Sequence, residues 1–220
     1  MDVKIQISAG DSVSGLLQMP ERPFACFVLA HGAGAGMTHP FMTAVAGGLR
    51  DRGMATLRYQ FPYMERGSKR PDRPAVAHAA VRAAVASAAR LLPSLPLIAG
   101  GKSFGARMTS QTQAEAALDR VMGLAFLGFP LHPAGKPSID RAEQLARVHV
   151  PMLFLQGTRD ALAESPLLAG VLRQLSDLAT PHLVADADHS FHVPARSGKT
   201  DAQVLADVLD TLVEWARGIV

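Results

Sequence analysis

The residues with the clearest chemical potential lie around position 103. Ile98-Ala99-Gly100-Gly101-Lys102-Ser103-Phe104-Gly105-Ala106 carries an apolar stretch into Gly-x-Ser-x-Gly and on into a helix-compatible segment. A sharp strand-to-helix turn of this form pushes the serine out of the sheet edge and exposes its hydroxyl. The serine backbone is strained in such a turn, by about 1–3 kcal/mol that the surrounding fold must offset. Glycine is required at 101 and 105 because a Cβ there would collide where strand and helix approach, and Ala106 keeps the next position small. A hydroxyl presented in this way suits attack on a carbonyl carbon once a base removes its proton.

Two other readings compete for these glycines besides a plain turn. Gly101-Lys102-Ser103 has the ending of a phosphate-binding loop, but the glycine such a loop needs five residues before Gly101 is Pro96, which has no N–H to offer a phosphate. Gly32-Ala33-Gly34-Ala35-Gly36 lacks the third glycine at dinucleotide-binding spacing, and Pro40 interrupts the approach to the following helix. Nucleophilic chemistry is the reading that survives.

A serine nucleophile needs a base, and the base an orienting acid. In open α/β sheets both belong in loops beyond strand C-termini, where ligands bind. Met152–Gln156 reads as an apolar strand whose following turn delivers Asp160, the sole carboxylate before a helix expected from Leu162; the same Asp160 also reads as that helix's N-cap. His182–Val184 reads as a short last strand, with His189 in the loop after it as the base and His192 as its nearest rival. Asp186 and Asp188 are expected to shape that turn. The catalytic set is therefore Ser103, Asp160 and His189, in chain order Ser, Asp, His. The oxyanion donors are expected from the N–H of Phe104 and from the loop after the third strand, at Ala33 or else Gly34. Met37, Tyr63, Leu131 and Phe191 are the residues expected to form an apolar wall for an acyl or alcohol group, and His132 reads first as a surface histidine and second as a polar contact. Lys102 and Arg107 flank the serine without an assigned role. The cluster Asp186, Asp188, His189 and His192 lacks the spacing of a metal site, so no metal and no cofactor are expected.

The elements that must position these residues follow from periodicity. Lys4–Ser8 and Ser12–Leu17 alternate polar and apolar residues across Gly10-Asp11, the signal of a hairpin. Phe24–Ala30 is continuously apolar, as a buried central strand should be. Strands are then expected at Ala55–Tyr59, Leu97–Gly100, Met122–Leu127, Met152–Gln156 and His182–Val184. They alternate with helices at Pro40–Arg52, Pro74–Leu92, Phe104–Leu118, Leu162–Leu178 and Ala202–Arg217. The last helix is the best marked, with a Thr200/Gln203 capping box and Val204, Leu205, Val208, Leu212 and Trp215 on one face. Such alternation predicts an α/β protein: a mainly parallel sheet with helices on both faces and two antiparallel strands at the N-terminus. Gly128–Val150, about twenty residues, leaves room for one short helix and no large cap.

Composition narrows the setting. The 220 residues are 48% hydrophobic with a formal charge of +3, enough for one domain over 1–220 and unlike a disordered chain. Arg66, Lys69, Arg70 and Arg73 have no interleaved aromatics and read as a solvated loop, not a nucleic-acid surface. One cysteine, Cys26, excludes an internal disulfide. No signal-peptide or membrane-spanning stretch is present, so a soluble cytoplasmic protein without membrane partners is expected. Oligomeric state is not legible.

His31-Gly-Ala-Gly-Ala-Gly-Met37, Pro40-Phe41-Met42, Phe61-Pro62-Tyr63 and Gly101-Lys-Ser-Phe-Gly together resemble the KANL/TEX hydrolase-like branch of the α/β-hydrolase superfamily, with dienelactone-hydrolase-like proteins as broader relatives. The resemblance spans nearly the whole chain. It implies the α/β-hydrolase fold and the Ser103–Asp160–His189 triad, and it leaves the substrate open. Two positions depart from the family's Gly-Lys-Ser-Met-Gly-Gly-Arg: Phe104 and Ala106 replace Met and the second Gly. Dienelactone hydrolases proper carry a cysteine where this chain has Ser103. The expected activity is hydrolysis of a small ester or related acyl substrate through an acyl-enzyme. A non-catalytic interaction module on the same fold is the alternative.

Overall fold

The computed structural model describes residues 1–220. Eight strands form one sheet: β1 (Asp2–Ser8), β2 (Asp11–Gln18), β3 (Ala25–Ala30), β4 (Met54–Tyr59), β5 (Leu97–Lys102), β6 (Val121–Leu127), β7 (Met152–Gly157) and β8 (Ala179–Val184), in spatial order β1-β2-β4-β3-β5-β6-β7-β8. β1 and β2 pair antiparallel, as do β2 and β4; every later pair is parallel. The interior strands β3 to β7 are almost wholly buried, because helices cover both faces.

Helices α1 (Pro40–Asp51) and α6 (Asp201–Ile219) lie on one face, where Met42, Val45 and Leu49 meet Val204, Val208 and Leu212. The other face is covered by α3 (Pro74–Leu91), α4 (Phe104–Glu115) and α5 (Ser165–Leu175). A one-turn helix α2 (Pro62–Glu65) follows β4. In α3 the alanines at 77, 80, 84 and 88 face the sheet and let the helix sit close to it. The capping box that opens α6 forms as expected: Gln203 N–H donates to Thr200 Oγ1 and Thr200 N–H to Gln203 Oε1, at 3.2 and 2.8 Å.

Several boundaries differ from the sequence expectation, β8 starting at Ala179 and α5 ending at Leu175 among them. β5 continues two residues past Gly100, because Gly101 and Lys102 still pair with Phe126 and Leu127 of β6. α4 stops at Glu115, and α5 starts at Ser165 instead of Leu162. The connection from β6 to β7 holds a single 3₁₀ segment, Asp140–Arg147, and no cap. No helix is long and apolar enough to cross a membrane.

Candidate active site

Ser103 sits between β5 and α4 at φ 51°, ψ −108°, a left-handed position that a side chain adopts only under strain. The flanking glycines make the turn feasible. A Cβ on Gly101 would lie 2.1 Å from the Ala30 carbonyl oxygen, and one on Gly105 would lie 2.6 Å from that same oxygen. The helix can therefore approach the end of β3 only because both positions lack a side chain.

The turns after β7 and β8 bring the other two residues to this point. His189 Nε2 lies 2.8 Å from Ser103 Oγ, and His189 Nδ1 lies 2.6 Å from Asp160 Oδ2. An ionised carboxylate only accepts, so Nδ1 carries the proton and Nε2 is left to accept from the serine hydroxyl. The Asp160 side chain is fully buried, and both of its oxygens accept hydrogen bonds. Gln156 Nε2 donates to Oδ2 alongside His189, and Leu162 N–H donates to Oδ1 at 2.8 Å. Gln156 is held in turn by the Phe129 N–H, 2.8 Å from its Oε1. Asp160 does not cap α5 as expected: Glu164 occupies that position, and the Asp160 bond to Leu162 closes a local turn instead. Asp188 shapes its loop by accepting the N–H groups of Ser190 and His192, and Asp186 is in the left-handed region. His192 is exposed and bonded through Nδ1 to Asp201, which raises its pKa.

Lys102, without a role in the sequence, lies behind the imidazole. Its Nζ donates to the His189 carbonyl and sits 5.9 Å from the Phe41 ring centre and 5.4 Å from that of Phe191. Burial pulls its pKa down to about 8, against the opposing attraction of Asp160 and Asp188.

The glycine-rich loop after β3 is braced from beneath. His31 is buried; its Nε2 accepts the Phe61 N–H at 3.1 Å, so its proton is on Nδ1, which donates to the Gly32 carbonyl at 2.8 Å. Burial lowers its pKa to about 4, keeping the ring neutral. Gly34 N–H donates to the Tyr63 hydroxyl at 3.0 Å and is therefore committed. Ala33 N–H has no acceptor in the chain. The N–H of Phe104, first residue of α4, belongs to a helical turn whose donors have no intrahelical partner. Ala33 lines the same cavities as Ser103, and Phe104 follows Ser103 in the chain.

Residues 23–217 match the model of the alpha/beta hydrolase domain family. The chain belongs to that α/β-hydrolase family. Solved structures share the fold. A dienelactone hydrolase from Anabaena variabilis is 19% identical, with 100% of this chain and 97% of that one covered and a TM-score of 0.79. An α/β serine hydrolase homologue from Coxiella burnetii is 18% identical, with 97% and 96% covered and a TM-score of 0.77. An α/β serine hydrolase without a lid from Xanthomonas campestris is 19% identical, with 98% and 94% covered and a TM-score of 0.76.

In this α/β-hydrolase Ser103 opens onto two cavities. The first, of about 330 Å³, is walled by Ala33, Ala35, Phe41, Met42, Leu162 and His189. The second, of about 380 Å³, also contains Ala33, Ser103 and Leu162 and extends over Phe104, Arg107 and Arg141. The four residues expected to form the apolar wall are elsewhere. Leu131 and Tyr63 are fully enclosed in the core on the α4 side, Met37 is buried with its N–H held by Gln60 Oε1, and Phe191 is buried and stacked on Phe41 at 6.1 Å. Each packs behind the site because its loop turns inward to satisfy a backbone bond or fill the core. His132 is buried as well, its Nδ1 donating to the Pro133 carbonyl, and is not a wall residue. Of the residues that do line the first cavity, Ala33 and His189 were expected at the site, whereas Phe41 and Met42 were legible only as part of the Pro40-Phe41-Met42 motif and Leu162 only by its closeness to Asp160.

Proposed function

We propose that the protein is a serine hydrolase of small carboxylic esters, carboxylesterase-like, acting through an acyl-enzyme. The observation that carries this reading is the unbroken chain Ser103 Oγ, His189 and Asp160, at 2.8 and 2.6 Å. Ser103 Oγ attacks the ester carbonyl carbon while His189 Nε2 takes its proton. The negative charge that develops on the carbonyl oxygen is received by the N–H groups of Ala33 and Phe104. When the tetrahedral intermediate collapses, Nε2 returns the proton to the departing alcohol oxygen. Water then repeats the sequence on the acyl-enzyme, releasing the carboxylic acid. Asp160 holds the imidazole in the tautomer that both halves require.

The resemblance of the quoted motifs supports the KANL/TEX hydrolase-like branch as the part of the superfamily to which this reading assigns the chain. Cys26, buried in β3 with its thiol pushed up to about 12 by that burial, accords with a cytoplasmic setting. The test is labelling of the folded protein with a fluorophosphonate probe. Ser103 is expected to be labelled and a Ser103→Ala variant to stay blank. Unlabelled, folded wild-type protein would instead favour an interaction module on a hydrolase fold.

A further inference from the structure

The two cavities that meet at Ser103 differ in one respect that bears on the substrate: His189 forms part of the wall of the first and not of the second. In the acyl-transfer reading, on which this inference rests, the imidazole must hand its proton to the leaving oxygen. The alcohol portion of an ester therefore lies in the first cavity, beside His189, against Phe41, Met42 and Leu162. The acyl portion is left to run into the second.

That second cavity is not apolar. Arg107 projects from α4 one turn beyond the nucleophile, with its own N–H bonded to the Ser103 carbonyl at 3.1 Å, and its guanidinium lies 5.8 Å from the Phe104 ring centre. Arg141, from the 3₁₀ segment between β6 and β7, faces the same space. Neither guanidinium has a carboxylate or carbonyl partner in the chain, whereas Arg66 is paired and Arg82 and Arg120 donate to backbone carbonyls. The lone acid at the cavity, Asp72, is already spoken for: Oδ1 accepts from Arg66 Nη2 and Oδ2 from the Tyr63 N–H, both at 2.7 Å. Burial, and after it the repulsion from Arg141, lowers the pKa of Arg107. Two half-buried, like-charged groups held close without a counter-ion are a costly arrangement that an anion between them would relieve.

We infer that Arg107 and Arg141 form an anion subsite for a carboxylate at the far end of the acyl chain, so that the preferred substrates are half-esters of short dicarboxylic acids. Ser103 and Arg107 lie about one helical turn, roughly 5.4 Å, apart along α4. Hydrolysis of such a half-ester breaks the acyl C–O bond, consumes one water, and yields the alcohol and the dicarboxylate.

The test compares monoethyl glutarate with ethyl pentanoate, which have the same acyl length with and without the distal carboxylate, by following ethanol release. Wild-type protein is expected to favour the half-ester at least about 10-fold in kcat/KM, as for a charge-assisted bidentate contact. Arg107→Gln and Arg141→Gln, on two different elements, should each move that ratio toward one, chiefly by raising KM for the half-ester, and Arg107→Lys should recover part of it. Melting temperatures of the variants establish that they are folded. Cleavage of ethyl pentanoate with no preference, or with a preference that neither Gln variant alters, overturns the subsite and leaves the hydrolase reading intact. Fluorophosphonate labelling of Ser103 without cleavage of the half-ester does the same. Absence of both labelling and cleavage removes the hydrolase reading and the subsite with it.

Discussion

Replacing Gly105 by alanine isolates the close approach on which the elbow depends. The added Cβ would lie 2.6 Å from the Ala30 carbonyl oxygen, 2.7 Å from Ala30 Cβ and 2.7 Å from the His31 carbonyl oxygen. None of these belongs to a flexible side-chain end, so relief requires α4 to withdraw from β3. Ordinary contact begins at 3.4 Å, so the withdrawal is about 0.8 Å (3.4 − 2.6) along the worst contact. Overpacking of this kind costs about 1–3 kcal/mol, which for a chain of this size lowers Tm by roughly 2–12 °C. The movement also carries Ser103 Oγ and the Phe104 N–H away from His189 and Ala33, and a misplacement near 1 Å at reacting atoms costs up to about 100-fold in rate. Steady-state hydrolysis of 4-nitrophenyl butyrate, measured well below the variant's Tm, should show kcat reduced by about 30- to 100-fold. Gly47→Ala is the matched control: a Cβ there, on α1, meets nothing within 4 Å, and it should stabilise the helix by up to about 1 kcal/mol with unchanged turnover. A Gly105→Ala protein with wild-type Tm and kcat within about twofold would show that this approach does not position the serine.

Three further outcomes follow from the site. His189→Ala should lower kcat by at least about 10⁴ with little change in Tm, because Asp160 keeps its bonds from Gln156 and Leu162. His192→Ala should retain turnover, and substantial activity in the His189 variant would move the base elsewhere. His31 is held at a pKa of about 4 by burial, against an ordinary value of 6.5. The unfolded chain therefore binds a proton that the folded one refuses, and the stability His31 contributes is complete above pH 6.5 and lost as pH falls toward 4. Urea midpoints measured across that window should fall less steeply for His31→Gln than for wild type; equal slopes would refute the assignment.

The hydrogen-bonded cluster of Ser103, His189 and Asp160 was legible because each of its members follows an apolar strand and its position is marked by turn chemistry: Gly-x-Ser-x-Gly for 103, the carboxylate-poor loop for 160, the polar loop of Ala185–Phe191 for 189. The sheet and helices were legible for the same reason, since period and capping are local. What the sequence concealed was direction. Tyr63, Met37, Leu131 and Phe191 stand in rim loops, yet whether a loop residue faces the cavity or the core is decided by distant partners such as Gly34, Gln60 and Phe41. The bracing of the glycine loop by His31, and the support of Asp160 by Gln156, depend on pairings across 30 and 4 residues that no periodic pattern announces. Lys102 had no assignable role for a related reason, its partner being a backbone carbonyl 87 residues away.

The placement of β8 bears on how the protein fails. β8 borders the sheet and is hydrogen-bonded to β7 alone, whereas β5, which ends at the nucleophile, is clamped between β3 and β6. Peripheral strands open first under thermal agitation, and this one leads into the loop that presents the imidazole. Warming should therefore silence the enzyme by uncoupling base from nucleophile while the central strands still hold, a loss that cooling reverses. Durability of activity is accordingly a property of one outer ribbon and not of the whole molecule.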